Sequence, residues 1–294
     1  MGLLLADGGS TKVQWQLRDS SGEMLDEFFT TGVNPLVMEE GQVEALIVPV
    51  LTGRMADWES RGLSVSEVRF YGAGCKGEGL AVMERVLRKA TGAKTVTVGS
   101  DMLGTCAALL GERPGIACIL GTGANSALYD GREIIAATPP LGYILGDEGS
   151  GTWFGKRLIS DRFKGLMPRE LAQRFDAAYR LTEGECVQRV YRPTQADGAS
   201  NRFLASLTPF LADNIGHPYC TALLREGFGA FLSRNVMGYF RPELLARCGV
   251  TDSRRIPVSF TGGVAHAFRF PLLEVLETLR LTPGEIRRSP LENL

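Results

Sequence analysis

The run Leu3-Leu4-Leu5-Ala6-Asp7-Gly8-Gly9-Ser10-Thr11-Lys12-Val13-Gln14-Trp15-Gln16-Leu17 decides the fold. Its first four residues read as an apolar strand, and Asp7 to Lys12 as a polar, glycine-bearing turn. Val13 to Leu17 alternates apolar with polar, the period of a half-buried strand. Asp19-Ser20-Ser21-Gly22 turns the chain again, and Met24 to Phe29 predicts a third strand, so the chain opens as a meander of two hairpins. Working outward, a helix is expected over about Glu39 to Arg61, a strand over Val68 to Tyr71, a helix over Gly77 to Thr91 and a strand over Thr95 to Val98. Hairpins followed by strand–helix alternation imply a mixed sheet covered by helices.

The same device then recurs. Gly115 to Leu120 predicts a strand that ends in Gly121-Thr122-Gly123, Asn125 to Tyr129 predicts its partner, and Asp130-Gly131 signals another hairpin. A mainly helical stretch follows from about Thr152 to Cys248. A strand over Ile256 to Thr261 then runs into Gly262-Gly263-Val264. The expectation is an α/β fold of two duplicated mixed sheets, residues 1–115 and residues 116–294, the second half carrying a helical insertion and a ligand cleft lying between the halves.

Length and composition agree with this. A chain of 294 residues is too long for one ordinary core. A formal net charge of -1 gives no electrostatic reason to bind nucleic acid or an anionic membrane. Phosphate chemistry, if present, has to come from a local site. Cys75, Cys106, Cys118, Cys186, Cys220 and Cys248 form no CxxC pair, and with only His217 and His266 there is no zinc or iron–sulfur spacing. Scattered reduced cysteines are expected of a cytoplasmic protein. The apolar run Gly2 to Ala6 is too short for a signal-peptide core, no segment approaches the ~20 apolar residues of a membrane span, and Ala6 stands where N-myristoylation needs Ser or Thr.

Four loops and one carboxylate are candidates for chemistry. In Asp7-Gly8-Gly9-Ser10-Thr11-Lys12 the glycines let backbone N–H groups face phosphate oxygens, and the hydroxyls and Lys12 add donors. Asp7 can hold Mg²⁺ directly or through water. A polar hairpin turn is the bland alternative, and the spacing is not that of a Walker loop. Gly121-Thr122-Gly123-Ala124-Asn125-Ser126 gains weight as a second copy, because a triphosphate held between two lobes needs one loop from each. Phe260-Thr261-Gly262-Gly263-Val264-Ala265 reads either as a plain helix entry or as bare backbone on which a flat base and ribose can lie. Gly146-Asp147-Glu148-Gly149-Ser150-Gly151 places adjacent carboxylates between glycines, suited to accept hydrogen bonds from a polyol; the alternative is an acidic helix N-terminus. Asp101 stands where a strand ends and a helix begins, a cleft position in an open α/β sheet; the alternative is a helix N-cap, for which Ser100 or Asp101 serves equally well.

Taken together, these segments resemble the actin/hsp70/hexokinase superfamily, and within it the N-acetylglucosamine kinase and BadF/BadG/BcrA/BcrD ATPase group. Asp7 to Lys12 resembles the first phosphate loop, Gly121 to Ser126 the second, and Gly262 to Val264 the adenosine motif. Gly146 to Ser150 resembles the GDEGS segment that helps these kinases bind the sugar. Ser100-Asp101 with a small-residue helix behind it resembles the segment bearing their catalytic aspartate, and Thr31-Gly32-Val33-Asn34 their sugar loop. The motifs span residues 7 to about 265. The resemblance implies a two-lobed actin-like (ribonuclease H-like) ATPase fold, ATP and Mg²⁺ as cofactors, and phosphoryl transfer to an amino-sugar hydroxyl, expected at the 6-OH. It assigns Asp101 as base, Asp7 near the metal, Gly8, Gly9, Ser10, Thr11, Lys12, Gly121, Thr122, Gly123, Gly262 and Gly263 to ATP, and Asn34, Asp101, Asp147 and Glu148 to the sugar. It further implies a cytoplasmic homodimer. Related activators of 2-hydroxyacyl-CoA dehydratases are ATPases with a cluster-binding segment that this sequence lacks. Family members usually return a last helix to the first lobe, and here it is expected to be short or absent.

Overall fold

The computed structural model describes residues 2–9, 12–194 and 199–292. Two compact units form: one runs to Ala108 and takes back the segment from Ser289 onward, and the other is Leu109–Arg288. A single cut at 115/116 leaves this return out.

The first unit contains β1 (Gly2–Gly8), β2 (Lys12–Arg18), β3 (Met24–Thr31), α1 (Glu40–Ser60), β4 (Val65–Gly72), α2 (Glu78–Thr91), β5 (Thr95–Ser100) and, as far as Ala108, α3 (Asp101–Leu110). Its sheet order is β3-β2-β1-β4-β5, with an antiparallel meander on one side and β1, β4 and β5 parallel on the other. Parallel neighbours need long crossovers, which α1 and α2 supply. A reciprocal capping box between Glu39 and Gln42 starts α1. Gly92, at φ 64°, ends α2 in the left-handed conformation that glycine adopts most cheaply. Leu4, Ala6, Val13, Trp15 and Leu17 from the first hairpin bury against Val43, Ile47, Leu51 and Trp58 of α1 and Met83 and Val86 of α2. The Trp15 ring stacks on Phe28 at 5.8 Å, and its indole N–H donates to Thr30 Oγ1 at 3.0 Å.

The returning segment holds one 3-10 turn, Pro290–Glu292. Leu291 is fully buried, its carbonyl accepts from the Arg18 guanidinium, and Ser289 Oγ bonds Gln14 Oε1 at 3.2 Å.

The second unit repeats the plan. Its strands are β6 (Gly115–Leu120), β7 (Ala124–Tyr129), β8 (Ile134–Thr138), β9 (Pro257–Thr261) and β10 (Thr282–Arg287). Their order, β10-β9-β6-β7-β8, is that of the first sheet with β6 in the place of β1. Between β8 and β9, where the first unit has only α1, lie α4 (Gly142–Leu145), α5 (Gly151–Phe163), α6 (Arg169–Tyr179), α7 (Glu183–Tyr191), α8 (Ser200–Ala205), α9 (Pro209–Asp213), α10 (Pro218–Phe231) and α11 (Pro242–Arg247). Helices α12 (Gly263–Ala267) and α13 (Arg269–Thr278) join β9 to β10. Phe154, Phe175, Phe228, Phe231, Phe260 and Phe268 fill the core between this helical insertion and the sheet. Each unit is therefore a mixed five-stranded sheet with helices, the two-unit α/β plan expected from sequence. Among the described residues all six cysteines are buried and none is in a disulfide, and no helix is long and apolar enough to cross a membrane.

Candidate active site

In the first unit the candidate residues gather where the parallel strands end. Register pairs Asp7 with Tyr71 and Tyr71 with Gly99, then Gly8 with Gly72 and Gly72 with Ser100. Asp101, the next residue, thus follows one step beyond the level of Gly8 on the far side of β4. The close glycines have a packing reason: a Cβ on Gly8 or Gly72 would stand 2.6 or 2.3 Å from the Phe70 ring. Asp7 is half-buried, and among the described residues no donor is bonded to its carboxylate. Burial, together with the charge of Asp101 and against that of Lys12, pushes its pKa up to about 7. Burial raises the Asp101 pKa too, opposed by N–H donors, Met102 at 2.8 Å among them, and by the charge of Lys76. Ser100 Oγ accepts from Leu103 N–H at 3.1 Å, so Ser100 takes the cap-like bond and the two readings of this segment divide between neighbours.

Lys12 opens β2, exposed, with its ammonium 4.7 Å from the centre of the Phe29 ring. Ser10 and Thr11 lie outside the described residues. Asn34 orders its own loop: its carbonyl accepts from Val37 and Met38 at 3.1 Å each, and Oδ1 accepts from Leu36 N–H at 3.2 Å. A Cβ on Gly74, at φ 77°, would stand 2.0 Å from Asn34 Oδ1, which seats Asn34 on the loop leaving β4 and so at the same sheet edge as Asp7 and Asp101.

In the second unit three loops are tied into one. Gly151 N–H donates to Gly121 O at 2.8 Å and Thr152 N–H to Thr122 O at 3.1 Å, and the Thr152 hydroxyl also reaches Thr122 O at 2.7 Å. Asp147, held at φ 58°, accepts from Ala124 N–H at 3.0 Å and packs against Gly123. A non-glycine residue there is strained, and the loop is held by these bonds. Burial raises the Asp147 pKa, opposed by the Ala124 N–H bond and the charge of Lys156. Gly262, at φ 115°, brings the third loop in: a Cβ there would stand 2.3 Å from Leu120 O. Gly263 by contrast has nothing within 4 Å of such a Cβ.

The glycine turns are less open than their composition suggests. Gly9 N–H closes its hairpin onto Lys12 O at 2.9 Å and Gly121 N–H onto Gly123 O at 3.0 Å, so neither is a free donor. Among the described residues no group of three or more His, Cys, Asp and Glu could hold a metal. A single unbonded carboxylate, Asp7, suits a hard cation that keeps water and phosphate as its other ligands.

Two features are not legible in the motifs. One is the loop Gly72 to Gly79 after β4, which supplies Gly74 under Asn34 and Lys76 beside Asp101. The other is a π-helical turn, Leu232–Val236, whose Arg234 and Asn235 face Glu148. The glycines of the first were a usable signal; the second reads in sequence as more helix.

A scan against protein-family models and a search of curated proteins returned no match. Solved structures do match. A candidate N-acetylglucosamine kinase from Porphyromonas gingivalis is 37% identical, with 99% of this chain and 96% of that chain covered and a TM-score of 0.85. One from Chromobacterium violaceum shares the fold at 21% identity, covering 99% and 96% with a TM-score of 0.63. So does a glucokinase of the ROK family from Streptomyces griseus, solved with glucose and AMPPNP, at 14% identity, 99% and 95% coverage and a TM-score of 0.60.

Proposed function

This chain belongs to the sugar kinases of the actin-like ATPase superfamily, and from that premise we propose that it phosphorylates a hydroxyl of an amino sugar, N-acetylglucosamine or N-acetylmuramic acid, at O6. It does so with ATP and Mg²⁺, as a cytoplasmic homodimer of the N-acetylglucosamine kinase and BadF-type branch. The observation that carries the reading is Asp101: a half-buried carboxylate with a raised pKa at the sheet edge that also carries Asp7 and Asn34. A base whose pKa is moved toward neutrality takes a hydroxyl proton more readily than an ordinary carboxylate.

In this mechanism Asp101 accepts the proton of the sugar hydroxyl as that oxygen bonds to the γ-phosphorus and the bond to the departing ADP oxygen breaks; the proton then passes to solvent. Asn34, Asp147 and Glu148 hold the sugar's hydroxyl and acetamido groups, so that the nucleophile is aligned before reaction. Lys12 and the turn around Thr122 and Gly123 face the phosphates, and Gly262 and Gly263 the adenosine. ATP supplies the phosphoryl group and Mg²⁺ neutralises charge on it; the protein's contribution is positioning and electrostatics.

The deciding assay is ADP release with Mg-ATP and N-acetylglucosamine, N-acetylmuramic acid, N-acetylmannosamine, glucose, glucosamine or no sugar. One amino sugar should stimulate turnover. Asp101→Asn should lower kcat roughly 10²- to 10⁴-fold with nucleotide affinity kept. Sugar-independent hydrolysis would instead indicate an ATPase that activates a partner, and nucleotide binding without turnover a non-catalytic binder.

A further inference from the structure

Helix α10 does not simply end. It passes into the π turn Leu232–Val236, closed by Met237 N–H on Leu232 O, and then into a 3-10 turn, Met237–Phe240. Such single π turns cost regular helical bonding and concentrate at functional sites. Here the turn is clasped to the sheet. Ser126 of β7 and Thr138 of β8 are register partners. Their hydroxyls converge on one acceptor, the Asn235 carbonyl, at 2.8 and 3.0 Å. The buried Tyr239 hydroxyl locks the same pair, accepting from Thr138 N–H at 2.7 Å and donating to the Ser126 carbonyl at 2.9 Å. With the Asn235 backbone fixed in this way, its side chain is delivered to Glu148: Nδ2 lies 3.5 Å from Oε2, and Arg234 Nε lies 3.7 Å from Oε1. The Glu148 side chain is only 16% exposed, whereas that of Arg234 is 72% exposed. A carboxylate so enclosed is fixed in one rotamer when a donor faces each of its oxygens.

We propose that Asn235 and Arg234 are positioning residues for Glu148, and that the clasped π turn sets where the Glu148 carboxylate meets the sugar. The inference rests on the assignment of Glu148 to the sugar. The clasp acts on the Asn235 main chain and the positioning on its side chain, so the two can be separated by substitution. Asn235→Ala leaves the clasp intact and removes the amide, and Arg234→Ala removes the exposed cation.

The test is a double-mutant cycle read in KM and kcat for the amino sugar that gives the highest turnover. Asn235→Ala should raise the KM for sugar roughly tenfold, the scale of one hydrogen bond to a charged group, with the KM for ATP and the melting temperature unchanged. Arg234→Ala should act in the same direction and Arg234→Lys should recover part of the loss. In a Glu148→Gln background, Asn235→Ala should have little further effect, because it acts through the carboxylate. Ser126→Ala with Thr138→Val, which loosens the clasp without touching Glu148, should raise the KM for sugar as well. If Glu148→Gln raises the KM for sugar but Asn235→Ala does not, or if the two effects multiply in full, the positioning role is refuted. It is refuted equally if Asn235→Ala lowers the melting temperature and raises both KM values together. If Glu148→Gln leaves the KM for sugar unchanged, it is the assignment of Glu148 to the sugar that fails.

Discussion

Asp7 illustrates how much a single carboxylate depends on its place. Its pKa of about 7 comes mainly from burial, with the like charge of Asp101 adding to it. In the unfolded chain the group titrates at its ordinary value, so between about pH 4 and pH 7 the unfolded state has released a proton that the folded state retains. Stability therefore falls as pH rises through that window. Asp7→Asn should match the wild type near pH 4 and exceed it by on the order of 1–3 kcal/mol at pH 8, less than full burial would give because Asp7 is only half-buried. Urea denaturation across pH without nucleotide measures this; a difference that is constant with pH would contradict it. The same variant should lose phosphoryl transfer. Asp7 and Asp101 were legible in sequence because each stands at a strand end beside small residues. Arg234 and Asn235 were not, since Ser233-Arg234-Asn235 continues the helical pattern and only the register of β7 with β8 reveals what the turn is for.

At the scale of elements, the hairpins and the first two helices follow from periodicity and caps, and their bounds differ from expectation by only a residue or two, whereas β4 begins at Val65, three residues before the expected Val68. Two strands were not legible. Ile134–Thr138 is short and mostly half-exposed, so it lacks a clear alternation. Thr282–Arg287 contains Pro283 and Gly284, residues that argue against a strand. It survives as an edge strand, with its register shifted between Pro283 and Ile286. The glycine pair after β9 divides into two roles. Gly262→Ala combines a positive φ with a Cβ 2.3 Å from Leu120 O, and should destabilise the second unit by roughly 1–3 kcal/mol in chemical denaturation. Gly263→Ala meets nothing and should leave stability unchanged while raising the KM for ATP, if the base lies over it as proposed.

For the whole molecule, the recurrence of strand, glycine turn and strand at Leu3 to Leu17 and Gly115 to Tyr129 was enough to anticipate a duplicated fold. The size of the insertion after β8 was visible as a long helical stretch, but its packing was not. The two units have separate apolar cores, and a chain of this kind need not unfold in one step. Leu291→Ala removes a fully buried side chain from the first unit and should cost it about 2 kcal/mol or more. Calorimetry should show the transition of the first unit moving down in temperature while that of the second stays, and hydrogen exchange should place the loss in β1 and β2. Equal shifts of both would mean that the cores melt as one.

The return of Ser289 to Glu292 has a consequence for biosynthesis. Arg18 and Gln14 leave the ribosome early, and their partners Leu291 and Ser289 are made 273 and 275 residues later. The second unit lies wholly between them in the order of synthesis and can close on its own contacts. The nascent first unit gains the Leu291 carbonyl beside its Arg18 guanidinium only once the returning segment has cleared the exit tunnel. The half that is translated first is thus the half that matures last.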